Sequence, residues 1–247
     1  MIKKIFFYIF ILLSCSTFAQ NSNDASRYFY GFGASINKEV YKGYNQRTML
    51  LPVIGYKGEK LNILGPFISY KLSVISDFSL LLQAAPRFQN FNDTDSFIFQ
   101  GMKDRKLSID AGASLNYKRH DWKVSFSSMF DVLNRSNGTE LVTALSRTIR
   151  FGPVFIEPRL SFSYLSSDHV DYYYGVGLSE STINRPEYVG KSALNRSFEL
   201  SVSTPIFFGG YTQLNLKRTW FSKEVTNSPL VGSSDSTTFR LSYSRNF

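Results

Sequence analysis

Two histidines, one cysteine and a scatter of serines and carboxylates are the groups in this 247-residue chain with the reactivity for chemistry. His169 follows Asp168 and stands just beyond Ser166 and Ser167, so hydroxyl, imidazole and carboxylate crowd one short stretch. A Ser-His-Asp hydrolase needs the imidazole held between nucleophile and acid by the fold, and adjacency along the chain does not supply that. His120 sits in Arg119-His120-Asp121, and neither histidine has the His or Cys companion that zinc ligation requires. No glycine loop of the phosphate-binding type is present. Cys15 is the sole thiol, so disulfides play no part. The expectation is a non-enzymatic protein without catalytic residues, metal or cofactor.

The remaining charges follow a different logic. Arg87, Asp110, Lys118, Lys123, Asp131, Glu157, Arg159, Glu199, Lys217 and Arg240 all fall opposite the apolar residues of segments that alternate with period two, which is strand patterning. The clearest runs from Lys106 to Arg119: Leu107, Ile109, Ala111, Ala113, Leu115 and Tyr117 alternate with Ser108, Asp110, Gly112, Ser114, Asn116 and Lys118. The last runs from Thr237, with Phe239, Leu241, Tyr243 and the terminal Phe247. A chain that finishes an amphipathic strand on Phe resembles bacterial outer-membrane barrels, whose closing strand doubles as the assembly signal. Arg245 departs from that pattern, an aromatic or aliphatic residue being usual there.

The N-terminus names the compartment. Lys3 and Lys4, the apolar run Ile5 to Leu13 and small residues after it make a secretory signal peptide, too short to span a bilayer. Cleavage is expected after Ala19, with residues 20–247 as one domain; lipidation at Cys15, after Leu12-Leu13-Ser14, competes. Aromatics make up 16% of the chain although its mean hydropathy is −0.15, a combination of average polarity with residues that favour membrane interfaces. The net charge of +9 contains no basic block, which argues against nucleic acid and for a solvated lumen or attraction to anionic lipopolysaccharide.

These observations predict an all-β fold, a transmembrane antiparallel β-barrel in the bacterial outer membrane, because only a closed barrel satisfies strand backbones in lipid. A soluble sandwich also alternates, but the signal peptide, strand lengths and terminal Phe favour the barrel. Eleven segments read as strands, one of them Asn62 to Leu72. Even strand numbers are the rule, so a twelfth is expected from Ser96–Met102 or Asp171–Val176. The first choice places the short turns Lys57 to Lys60, Arg119 to Asp121, Gly152-Pro153 and Gly209-Gly210 at the periplasmic end. Lys38 to Arg47 and Leu165 to Arg196 are the expected variable outer loops.

Asp171-Tyr172-Tyr173-Tyr174-Gly175-Val176, followed by Ser179-Glu180-Ser181 and Pro186-Glu187-Tyr188, resembles the MipA/OmpV family of outer-membrane proteins, the MltA-interacting group. Gly31-Phe32-Gly33-Ala34, Leu51 to Tyr56, Gly101 to Arg105, Asp131 with Asn137-Gly138, and Asn227-Ser228-Pro229-Leu230-Val231 match in family order across nearly the whole mature chain. The resemblance implies a scaffold joining a lytic murein transglycosylase to a murein synthase, or else a porin-like channel for small polar solutes or a surface adhesin. It implies assembly by the barrel-assembly machinery and supplies no catalytic residues. The Tyr-rich motif is then either a binding determinant or a structural group of aromatics at an interface girdle or in the lumen.

Overall fold

A computed structural model describes residues 27–247. The expected signal peptide and Cys15 lie outside them. The strands are β1 (Tyr28–Lys38), β2 (Gln46–Lys57), β3 (Leu61–Leu64), β4 (Phe67–Ile75), β5 (Phe78–Arg87), β6 (Ser108–Arg119), β7 (Trp122–Asp131), β8 (Thr139–Arg147), β9 (Ile149–Phe151), β10 (Val154–Leu165), β11 (Ala193–Thr204), β12 (Tyr211–Trp220) and β13 (Asp235–Asn246). Each pairs antiparallel with its neighbours; β13 pairs with β1 and β11 with β10, so the sheet closes on itself. β8 and β9 lie end to end along β10 and count as one strand. They part at Thr148, beside the level where Pro158 of β10, lacking an N–H, interrupts the ladder. The barrel therefore has twelve strands.

The expected number is right, but its source differs. Ser96–Met102 supplies no strand; it holds a single 3-10 turn over Phe97–Phe99. Asp171–Val176 supplies none either, because Ser167–Tyr174 is an α-helix, α1. The twelfth strand comes instead from Asn62 to Leu72, which folds at Gly65-Pro66 into the hairpin β3–β4, with Gly65 at φ +55°. Ile63 pairs with Ile68 across that hairpin. The outward parity thus changes from odd to even, a slip that one continuous strand cannot make.

The outward side chains are apolar around the circumference: Leu50 is 75% exposed and Ile54 71%, with Tyr30, Leu115, Phe126, Phe162, Phe198 and Phe239 exposed on other strands. In water such a belt would be a liability; in hydrocarbon it is the required surface. No helix among the described residues is long and apolar enough to cross a membrane.

The tightly packed core is not in the barrel. Val40, Tyr41, Phe91, Phe99, Met102, Val170, Tyr173, Tyr174, Val176, Val225, Leu230 and Val231 form one buried cluster, and all belong to the long connections at one end. The short turns Lys57 to Lys60, Arg119 to Asp121, Gly152-Pro153 and Gly209-Gly210 lie at the other end, beside Phe247, as the expected loop alternation requires. The long loops thus build a lid with a hydrophobic interior over one mouth.

Candidate functional site

The lid is anchored on α1. Its N-cap Ser166 accepts hydrogen bonds from the N–H groups of His169 (3.3 Å) and Thr139 (3.0 Å). That hydroxyl is occupied in capping, and the stretch Ser166 to His169 forms a helix start rather than a nucleophile and its base. Tyr172 accepts at its carbonyl from Arg105 Nε (2.6 Å) and at its hydroxyl from the Lys106 N–H (2.9 Å). Tyr173 is fully buried, and its carbonyl accepts from the Tyr41 hydroxyl (3.1 Å). The Tyr174 carbonyl accepts from the Ser228 hydroxyl (2.6 Å), and the Tyr174 hydroxyl from Gln89 Nε2 (2.7 Å). Through their carbonyls the three successive tyrosines thereby reach three different loops.

The neighbouring residues extend the same pattern. Asp171 Oδ1 accepts from the Gly190 N–H (2.7 Å), and Gly175 donates to the Asp171 carbonyl (2.8 Å). A Cβ on Gly175 would stand 2.2 Å from that carbonyl oxygen, so the turn requires glycine. Val176 and Tyr188 exchange backbone hydrogen bonds, and the Tyr188 hydroxyl donates to the Glu224 carbonyl (2.8 Å). Glu180 takes both prongs of Arg105 and the N–H groups of Lys103 and Gly177. Pro229 is half-buried beside Ser228, where the β12–β13 loop turns under Tyr174. Motif residues as far apart as Asp171 and Pro229, 58 positions in the sequence, thus meet in one layer.

Below the lid the wall is charged. Arg87 on β5 bonds Asp110 on β6 and, at 2.6 Å, Glu140 on β8; Glu140 also accepts from the Ser163 hydroxyl on β10. One guanidinium and two carboxylates bridge strands β5, β6 and β8 at the mouth of the lumen. A chamber of about 210 Å³ lies against this cluster, lined also by His169, Tyr174, Lys217 and Arg196. It shares Arg87, Gln89 and Glu140 with a cavity of about 780 Å³ that occupies the lumen. His169 is buried; desolvation, reinforced by the Arg87 charge, lowers its pKa to about 3 and keeps it neutral. The Tyr173 hydroxyl is buried without a partner among the described residues, and burial raises its pKa strongly.

No group of His, Cys, Asp and Glu suited to a metal occurs among the described residues. At the seam, β13 meets β1 with Tyr243 opposite Phe32, Leu241 opposite Ala34 and Phe239 opposite Ile36. Phe247 packs its ring 5.0 Å from that of Tyr30.

This closed barrel with its tyrosine-rich lid coincides with a known sequence pattern: the family model described as MltA-interacting protein MipA matches residues 30–247. The chain belongs to that family. The putative outer membrane protein YiaT of Escherichia coli K12 is 28% identical over 88% of this chain and 90% of its own length. The outer membrane protein Omp26La of Vibrio anguillarum is 27% identical over 90% of this chain and 89% of its own. Among solved structures, an outer-membrane channel of Pseudomonas putida F1 aligns with a TM-score of 0.46 at 10% identity, covering 94% of this chain and all of that one. This MipA-family chain is accordingly an outer-membrane β-barrel. The sequence locates the motif but not all its partners: Tyr41, and Arg185, whose guanidinium donates to the carbonyls of Glu180 (2.6 Å) and Ile98 (2.5 Å), are unremarkable loop residues. Arg105 itself closes the family piece Gly101 to Arg105, and that membership is the signal in the sequence for the Glu180 pair.

Proposed function

We propose that this MipA-family barrel is non-enzymatic and provides a narrow, lidded pathway for small polar solutes. The observation that carries this reading is the Arg87–Asp110–Glu140 cluster, which lines a wet lumen with both signs of charge directly beneath a lid made of loops. A charged interior of this kind favours polar and zwitterionic solutes over apolar ones. The five connecting loops at that mouth bond one another: Lys42 to Leu230, Ser96 to Lys42, Arg105 to Tyr172 and Thr139 to Ser166. Passage therefore requires the lid to loosen, and conductance is expected as brief steps. Planar-bilayer recording of the refolded protein tests this; a flat trace against a denatured control refutes it.

The second reading is a scaffold for peptidoglycan enzymes: the family description names an MltA-interacting protein, and the resemblance implies a lytic transglycosylase and a synthase as the partners. One observation favours it. At the short-turn end, the turn entering β12 carries exposed Ile206, Phe207 and Phe208, the last 83% exposed and at φ 53°, where a bulky residue is strained. A strained, exposed Phe208 beside Ile206 and Phe207 at the end facing the cell wall is suited to holding a protein partner. Crosslinking in cells followed by mass spectrometry, with Phe208→Ser as control, separates this reading: a transglycosylase captured only by the parent chain supports it. Signal-peptide cleavage after Ala19, contact with lipopolysaccharide and a structural role for the Asp171-to-Val176 motif belong to the same proposal.

A further inference from the structure

The barrel wall is incomplete on one side. Because β3 and β4 turn back at Gly65-Pro66, β3 covers β2 only from Gly55 to Lys57, and β4 reaches along β5 only to Ala84. Beyond this hairpin, β2 from Gln46 to Val53 and β5 from Ala85 to Arg87 border a gap that no strand pairing bridges. The gap is framed at its far end by Arg47, whose guanidinium donates to the Phe88 carbonyl (2.5 Å) and the Asn90 carbonyl (2.6 Å). It lies toward the long-loop end, hence toward the outer leaflet.

Both borders carry a proline with its missing N–H turned to the gap. Gly65 donates to the Ile54 carbonyl, so Ile54 faces its backbone away from β1, and Pro52, two residues along, does the same. Ile109 accepts from Val132 beyond β7, so its register partner Pro86 has its backbone directed away from β6. Inside a strand paired on both sides a proline breaks the ladder, as Pro158 does in β10, whereas at an edge its missing N–H removes no hydrogen bond. The prolines also remove donors that an added strand would need, which argues against a partner's β-strand as the occupant.

We propose that this gap is a lateral portal through which a single-chain amphiphile with an anionic head group passes between the outer leaflet and the lumen. The remaining edge groups, the backbone of Thr48 and Leu50, cannot face dry hydrocarbon unpaired, so water reaches the gap from the lumen. Inside it, Met49, Leu51 and Val53 of β2, with Leu64 and Phe67 at the hairpin tip, give the 780 Å³ cavity an apolar side. Ser35 has Met49 as register partner on one side and Arg240 on the other, so Arg240 lies about 10 Å from the apolar track, two strand spacings away. Arg240 lines the same cavity and makes no ion pair among the described residues. A hydrocarbon tail on the track and an anionic head at Arg240 match that layout.

The test is photocrosslinking of the purified full-length protein in phosphatidylcholine vesicles with a diazirine-bearing palmitate, followed by peptide mapping. Adducts on lumen-facing Met49, Leu51 or Val53, beside those on lipid-facing Leu50 and Ile54, are expected. Ala85→Trp, which fills the gap from the lumen side, and Arg240→Gln are each expected to lower the lumen adducts by about tenfold, with the lipid-facing adducts unchanged. Adducts confined to Leu50 and Ile54 overturn the portal. So does equal lumen labelling by a short water-soluble diazirine acid, which would mean entry from water. If Ala85→Trp does not fold, as read by heat-dependent gel mobility, the parent map and Arg240→Gln still decide. Conductance is not used, so failure of the solute pathway and failure of the portal are distinguishable.

Discussion

Arg105 and Glu180 meet in a two-pronged ion pair, Nη1 to Oε1 at 3.0 Å and Nη2 to Oε2 at 2.9 Å, that fastens the β5–β6 loop to the β10–β11 loop across the barrel mouth. Both side chains are buried. Burial by itself raises the Glu180 carboxyl, but hydrogen bonds from Arg105 and from the Lys103 N–H outweigh it and hold the pKa at about 2. Paired planar groups of this kind fix geometry as well as charge.

Glu180→Gln removes one charge and strands the other. Breaking a buried pair in this way costs about 3–5 kcal/mol, here from the local stability of the lid. Hydrogen exchange is expected to accelerate in residues 88–107 and 166–192 while the strands stay protected. Unchanged exchange in both loops would show that the pair does not hold the lid.

Acid is expected to loosen the lid before the barrel. His169 is held neutral by burial and by the Arg87 charge, with a pKa of about 3 against 6.5 when exposed. Its contribution is complete above about pH 6.5 and is lost as pH falls toward 3, because the unfolded lid binds the proton that the folded one refuses. Glu180, depressed from 4.5 to about 2, adds a second loss between those values. Lid opening, taken as the exchange rate divided by the intrinsic rate of an unprotected amide at each pH, should rise steadily from pH 7 to pH 4, and His169→Gln should flatten the part above pH 4.5. A flat parent profile would contradict the buried neutral imidazole.

Arg87 compensates two carboxylates, Asp110 and Glu140. Arg87→Gln leaves them facing each other near the lumen mouth, so reversal potentials in a salt gradient should move toward cation preference. Folding stability should fall by about 3–5 kcal/mol in urea titration, the usual cost of an orphaned buried charge. Unaltered selectivity would place the permeation route elsewhere.

How far the sequence was readable depended on the range of the interaction. Alternation in β6 and β13 is local: each residue declares its face by its parity, and both strands were legible to within a residue or two. The β3–β4 hairpin was missed because Asn62 to Leu72 is apolar on both sides of the turn, although Gly65-Pro66 is a turn signal and the phase slip from Ile63 to Ile68 was visible. Asp171 to Val176 was ambiguous because three tyrosines favour strands, yet the Ser166 cap and the burial of Tyr173 and Tyr174 against other loops stabilise a helix. Nothing local announces that Tyr41, Arg105 and Ser228 converge on the carbonyls of Tyr173, Tyr172 and Tyr174, since those contacts span 132, 67 and 54 residues.

The terminal aromatic offers a way to separate assembly from stability. Phe247 contacts Tyr30 ring to ring at 5.0 Å and donates its N–H to the Tyr28 carbonyl, so it fastens the end of the β13–β1 seam. A partly exposed aromatic pair contributes about 0.5–1.5 kcal/mol, a small share of a twelve-strand barrel. Deleting Phe247 should therefore lower urea stability of the refolded protein only by that amount. If the β13 residues Phe239, Leu241, Tyr243 and Phe247 also act as the assembly signal, the amount of folded protein reaching the outer membrane in cells should fall far more steeply than the loss of stability accounts for. Parallel losses in both measurements would reduce Phe247 to a seam contact, because a recognition step acts on the unfolded chain and leaves no trace in the stability of the finished barrel.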